Sequence, residues 1–148
     1  MHTRDHIHEE TFPLSPERLF SILHTPSAIR SWWGASTVIV MAESGGIWCA
    51  AWGENEDRPD YISAAAIKVF EPPFRLVLGD YHYTAEDGGL PFEADFEVEF
   101  IVSPHEDGAT LKVCQRGFPI ASEADDYFEA CVTGWKDTFL GIRNHLSA

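Results

Sequence analysis

Phe92-Glu93-Ala94-Asp95-Phe96-Glu97-Val98-Glu99-Phe100-Ile101-Val102 is the stretch from which the fold is read. Phe92, Ala94, Phe96, Val98, Phe100 and Val102 alternate with Glu93, Asp95, Glu97 and Glu99. Side chains on a strand point alternately to its two faces, so this period predicts a strand with one face in a core and the other in water. Beyond a turn at Glu106-Asp107-Gly108, Leu111 and Val113 continue the apolar face, while Thr110, Lys112 and Arg116 take the other. The two cations are expected opposite the acidic row. A one-residue slip would bury the carboxylates, which fixes the register of this hairpin.

Working outward, Ser122 with Asp125 in capping-box spacing predicts the start of a long helix. Phe128, Cys131, Val132, Trp135, Phe139, Ile142 and Leu146 recur at helical steps and predict one wide apolar stripe. Acidic residues gather near its start and Lys136, Arg143 and His145 nearer its end, as the helix dipole favours. Upstream, an edge strand is predicted over Asp5 to Phe12. Ser15-Pro16 and Thr25-Pro26 then open two short helices, the second stopped by Gly34 after Trp32-Trp33. Short β-prone runs follow at Val38–Val40, Ile47–Trp52, Ile62–Phe70 and Arg75–Tyr83. The expected class is therefore α+β: a curved antiparallel sheet of about seven strands wrapped on a long C-terminal helix, with two short helices after the first strand.

Composition bounds the rest. The 148 residues are 45% hydrophobic, with 10 basic against 24 acidic side chains, a net charge of −14. One domain spanning 1–148 is expected. The acidity is spread along the chain and disfavours nucleic acid and anionic membrane as partners. No apolar run is long enough to span a bilayer. The polar N-terminus is unlike a secretory signal, and three scattered cysteines without a CxxC pair suit a reduced compartment. A soluble cytoplasmic protein is expected.

Five short motifs stand in a telling order: Ser15-Pro16-Glu17-Arg18-Leu19-Phe20, Trp32-Trp33-Gly34, Glu71-Pro72-Pro73 with Leu76, Gly117-Phe118, and Gly134-Trp135. In these the chain resembles the heat-shock protein 90 ATPase activator-homologue family of the START-like (SRPBCC, helix-grip) superfamily. The resemblance covers nearly the whole chain. It implies a cavity between the curved sheet and the long helix, in a superfamily of lipid and hormone carriers, cyclases and aromatases, and co-chaperone domains. Eukaryotic activators of that family carry a separate N-terminal domain for which this chain has no room, which weakens direct ATPase stimulation as its role. Fold does not decide among these activities.

Candidate site residues follow from chemistry. Trp32, Trp33, Trp48, Trp52, Phe96, Phe100, Phe118, Trp135 and Phe139 are many large rings for a small domain. They line an apolar pocket or simply fill a core; given the order of elements, a pocket is expected. His82, with Asp80 on the same predicted face, is placed on the cavity wall as a weak acid–base candidate, against the plainer reading of an exposed histidine. His6, His8 and Glu10 share a face but read as plain surface, since further metal ligands are not evident. No nucleophile elbow or phosphate-loop lysine accompanies the glycine turns at Gly45-Gly46 and Gly88-Gly89, and the cysteines read as small buried hydrophobes.

The expected function is binding of a small hydrophobic or aromatic ligand in an apolar cavity, with no cofactor or metal. The alternative is a chaperone-associated protein-interaction domain, with a chaperone or a second copy as partner. A cyclase- or aromatase-type enzyme using His82 has the least support.

Overall fold

The two short helices each start at a proline. Ser15 Oγ accepts from the Arg18 N–H at 3.3 Å ahead of α1 (Pro16–Ser21). Thr25 precedes α2 (Pro26–Trp33), but its hydroxyl donates back to the Ser21 carbonyl instead of capping. Gly34 ends α2 in the left-handed conformation (φ 75°) that a Cβ disfavours. The strands are β1 (Thr3–Phe12), β2 (Thr37–Val40), β3 (Ile47–Trp52), β4 (Tyr61–Glu71), β5 (Arg75–Ala85), β6 (Glu97–His105) and β7 (Gly108–Pro119). A 3₁₀ turn (Ser122–Ala124) leads into α3 (Asp125–Ser147), so the long helix begins at Asp125 and not at a Ser122 cap. This computed structural model describes residues 2–85, 88, 92 and 94–147.

The strands form one antiparallel sheet in the order β1-β7-β6-β5-β4-β3-β2. β1, as expected, lies at an edge. Leu76, Leu78, Phe100, Val102, Leu111 and Val113 fill the inner face against Leu19, Phe20, Leu23 and Ile29 of the helical segment. Among the described residues no helix is long and apolar enough to cross a membrane.

Four further expectations are corrected. The alternating strand begins at Glu97, not Phe92. Gly117 kinks β7 at φ 98° and packs against the Asp95 backbone, so the chain before Glu97 leaves the ladder. Phe92 and Phe96 then turn their rings to Tyr127 of α3, at 5.5 and 5.6 Å between centroids. Glu93 and Gly89 lie outside the described residues.

Second, the acidic row is not wholly solvated: Glu99 is only 8% exposed. It accepts from Arg75 Nε at 2.5 Å and from Arg116, which also reaches Glu97 at 2.8 Å. Arg116 thus meets the row as predicted. Lys112 falls opposite Ile101 and Glu9 instead.

Third, the α3 stripe docks unevenly. Phe139 and Ile142 are buried, whereas Phe128, Cys131, Val132 and Trp135 are half-buried. At the docked end a Cβ on Gly141 would run into the Trp32 carbonyl oxygen, so the glycine lets α3 and α2 cross closely. The other half of the helix stands off the sheet.

Fourth, His6, His8 and Glu10 are not plain surface but half-buried on the inner face of β1. His8 Nε2 lies 2.7 Å from Glu10 Oε2 and its ring meets Phe139 edge-on. Arg143 of α3 donates to Glu10 at 2.8 Å, tying the helix to the edge strand.

Candidate functional site

Where α3 stands off the sheet, a cavity of about 340 Å³ opens. That is within the size range of small-molecule sites. The helix contributes Tyr127, Ala130, Cys131, Gly134, Trp135 and Thr138, a three-and-four-residue spacing that puts all six on one face. Gly134 and Ala130 make room: a Cβ on Gly134 would meet nothing within 4 Å. The sheet contributes Trp48, Ser63, Leu78, Tyr81, Tyr83, Val98, Phe100 and Gln115, Phe96 lies just before β6, and α2 contributes Trp32 and Trp33.

Six of the expected rings therefore line the cavity: Trp32, Trp33, Trp48, Phe96, Phe100 and Trp135. Trp52 lines an adjoining recess of about 320 Å³ with Tyr61, sharing Trp33, Ser63, Tyr83 and Tyr127 with the inner chamber. Phe118 and Phe139 are fully buried and pack behind the cavity wall, Phe118 against Phe96 and Phe128, Phe139 against Phe12 and His8.

His82 and Asp80 do not line it. Counting by twos from Leu76 and Leu78 would put both inside. The β4–β5 pairing instead slips between Ala64↔His82 and Ala66↔Gly79, with Asp80 in the left-handed region at φ 50°. This bulge shifts the phase of the strand by one residue. Tyr81 and Tyr83 take the inner face, His82 is exposed, and Asp80 pairs with Lys68 outside. An acid–base role for His82 at the cavity is accordingly set aside.

The polar groups of the cavity are uncharged. The indole N–H groups of Trp32 and Trp48 donate away from it, to the Ile22 and Leu23 carbonyls, each at 2.9 Å. Trp135 Nε1 donates to Gln115 Oε1 at 2.7 Å, linking helix to sheet across the chamber. Burial pushes the phenols of Tyr81 and Tyr127 above their ordinary value, so both stay protonated donors. Burial likewise raises the Cys131 thiol, against smaller opposing hydrogen bonds from Tyr127 and Gln115. A thiol so held is a poor nucleophile at neutral pH.

Metal-ligand spacing occurs among the described residues only in His105, Glu106 and Asp107, exposed in the β6–β7 turn. Ordinary solvated side chains account for that group.

Sequence reasoning missed Tyr81, Tyr83, Tyr127, Gln115, Ser63 and Thr138. The helical spacing of Tyr127 with Cys131 and Trp135 was the available signal for one of them. The tyrosines of β5 were hidden by the bulge.

A seven-stranded antiparallel sheet, a long C-terminal helix gripped against it and a cavity between the two define a helix-grip, START-like domain. Residues 13–147 match the model of the family described as Activator of Hsp90 ATPase homolog 1-like protein. The chain belongs to that family.

Solved structures share the fold. A Mesorhizobium loti protein superposes with a TM-score of 0.77 at 19% identity, covering 97% of each chain. The AHSA1 protein of Silicibacter pomeroyi gives a TM-score of 0.72 at 21% identity over 97% of this chain and 98% of its own. A Staphylococcus aureus protein described as of unknown function gives 0.77 at 12% identity over 99% and 94%. No curated protein sequence matches the chain.

Proposed function

We propose that this protein is a binding module that encloses a small apolar or aromatic molecule between its sheet and α3. The observation carrying this reading is the chamber of about 340 Å³ faced by Trp32, Trp33, Trp48, Phe96, Phe100 and Trp135. Ring faces supply large apolar area, and burying them against a ligand is favourable at about 25 cal/mol per Å². The family's link to a chaperone ATPase supports a second reading, a protein-interaction domain, but the cavity favours a ligand.

Gly134 gives the test. Gly134→Leu places a side chain in the chamber with no backbone in its way and improves helix propensity. Native mass spectrometry and a thermal-shift screen of aromatic compounds should show ligand binding by the wild type and its loss in a stable Gly134→Leu protein. Equal responses from both proteins, or none from the wild type, would overturn the reading.

A further inference from the structure

The lining has a second property besides its apolar rings. Among the described residues, none facing the chamber or its adjoining recess is Asp, Glu, Lys, Arg or His, although 34 of the 148 side chains are Asp, Glu, Lys or Arg. A ligand carboxylate or phosphate placed there would give up its water without meeting a cation, which is costly. The net charge of −14 also repels anions at a distance. Anionic ligands are thereby disfavoured twice.

The remaining polarity is unevenly placed. The inner end is faced by Trp32, Trp48, Leu78, Val98 and Phe100, and its two indole N–H groups are committed to backbone carbonyls. Hydroxyls concentrate in the recess. Of the six residues lining the recess, Tyr61, Ser63, Tyr83 and Tyr127 carry one, and Tyr81 stands nearby on the same face of β5 as Tyr83. Ser63 and Tyr83 are register partners on neighbouring strands, and Tyr127 faces them from α3. Trp33 meets Trp52 edge-on at 4.7 Å, and Trp52 stacks on Tyr61 at 4.7 Å, so the recess is walled by rings. The recess is thus the hydroxyl-rich part of the lining, and Gln115, Cys131 and Thr138 are the other polar side chains of the chamber.

We propose that the cavity selects an uncharged, flat aromatic molecule bearing a hydrogen-bond acceptor such as a ketone oxygen. The ring system lies inward among the indoles, and the oxygen points outward to the hydroxyls of Tyr81 and Tyr127, the latter turning from its hydrogen bond to Cys131. Cations are the competing class, because rings attract them, but among the described residues the lining offers no carboxylate to neutralise one. The inference rests on the binding-module reading and narrows it.

Four probes of one ring size separate these possibilities: 2-ethylnaphthalene, 2-acetonaphthone, 2-naphthoate and trimethyl(2-naphthylmethyl)ammonium. Calorimetric titration of the full chain should rank the ketone first, about tenfold tighter than the hydrocarbon, as one buried hydrogen bond allows. The naphthoate should bind weakest. Tyr81→Phe with Tyr127→Phe should bring the ketone down to the hydrocarbon's affinity, and an unchanged circular-dichroism spectrum reports that the variant is folded. Equal affinity for ketone and hydrocarbon, preference for the ammonium or the carboxylate, or a ketone advantage that survives in the double variant would overturn this inference while sparing the binding-module reading. Silence from all four probes would overturn both.

Discussion

Gly141 of α3 lies directly against the carbonyl oxygen of Trp32, the residue before the last of α2. Seven residues earlier on the same helix, Gly134 faces open space in the chamber. One glycine closes the helix onto the domain and the other leaves it open. The two should respond oppositely to alanine. Gly141→Ala forces α3 away from α2 and should cost roughly 1–3 kcal/mol, as overpacking does. Gly134→Ala should instead stabilise by roughly 0.5–1 kcal/mol through helix propensity. Urea denaturation of the two variants checks this, and a destabilised Gly134→Ala would contradict the open chamber.

Glu99 sits under Arg75 and Arg116 on the outer face of β6. Desolvation by itself would raise its carboxyl, but hydrogen bonds from Arg75 and Arg116 outweigh it and hold the group below its ordinary 4.5. The folded value is the lower one, so this contribution is full above about 4.5 and is lost as pH falls through the folded value. Glu99→Ala should cost about 1–3 kcal/mol at neutral pH, discounted because both guanidiniums are partly exposed. The deficit should shrink in acid. A constant deficit from neutral pH down to about pH 3 would show that packing, not charge, is responsible.

His6 titrates in the opposite charge sense but weakens the fold in the same direction. Burial on the inner face of β1, with repulsion from His8 and Lys136, holds its imidazole below 6.5. His24 is lowered too, chiefly by burial. The unfolded chain therefore takes up these protons first. Stability should be full above about 6.5 and fall as pH drops from there toward the folded values. His6→Gln should flatten that slope in a series of melting temperatures. Identical slopes for variant and wild type would remove His6 from the account.

Asp80 holds the β5 bulge in a backbone conformation that β-branched residues rarely adopt. It is exposed, so its substitution tests conformation more than packing. Asp80→Val should cost roughly 1–3 kcal/mol. Asp80→Gly should be tolerated, the loss of the exposed Lys68 pair being small. Thermal melts ranking glycine above valine would agree. The reverse order would mean that the bulge relaxes without strain.

Much of this architecture was legible from local pattern. The alternation from Val98 to Val102, the Ser15-Pro16 helix start, Gly34 as a stop and the long helix rest on the periods of two and 3.6 and on capping, which act within a few residues. Six cavity rings could be named because large aromatics on predicted inner faces have few other places to go.

What tertiary structure decided concerns phase and distance. The bulge at Asp80 exchanges the faces of Tyr81 and His82, and whether a strand accommodates an extra residue depends on its partner β4, whose Ala64 and Ala66 pair with His82 and Gly79 across the bulge. The kink at Gly117 takes Phe92 and Phe96 out of the ladder and sends them to Tyr127. The cavity itself exists because α3 is clamped at Gly141 and lifted at Gly134, two glycines that read identically in sequence. Residue type fixes what a side chain can do; only the crossing of α3 over α2 and the sheet decides which glycine meets a backbone oxygen and which meets empty space.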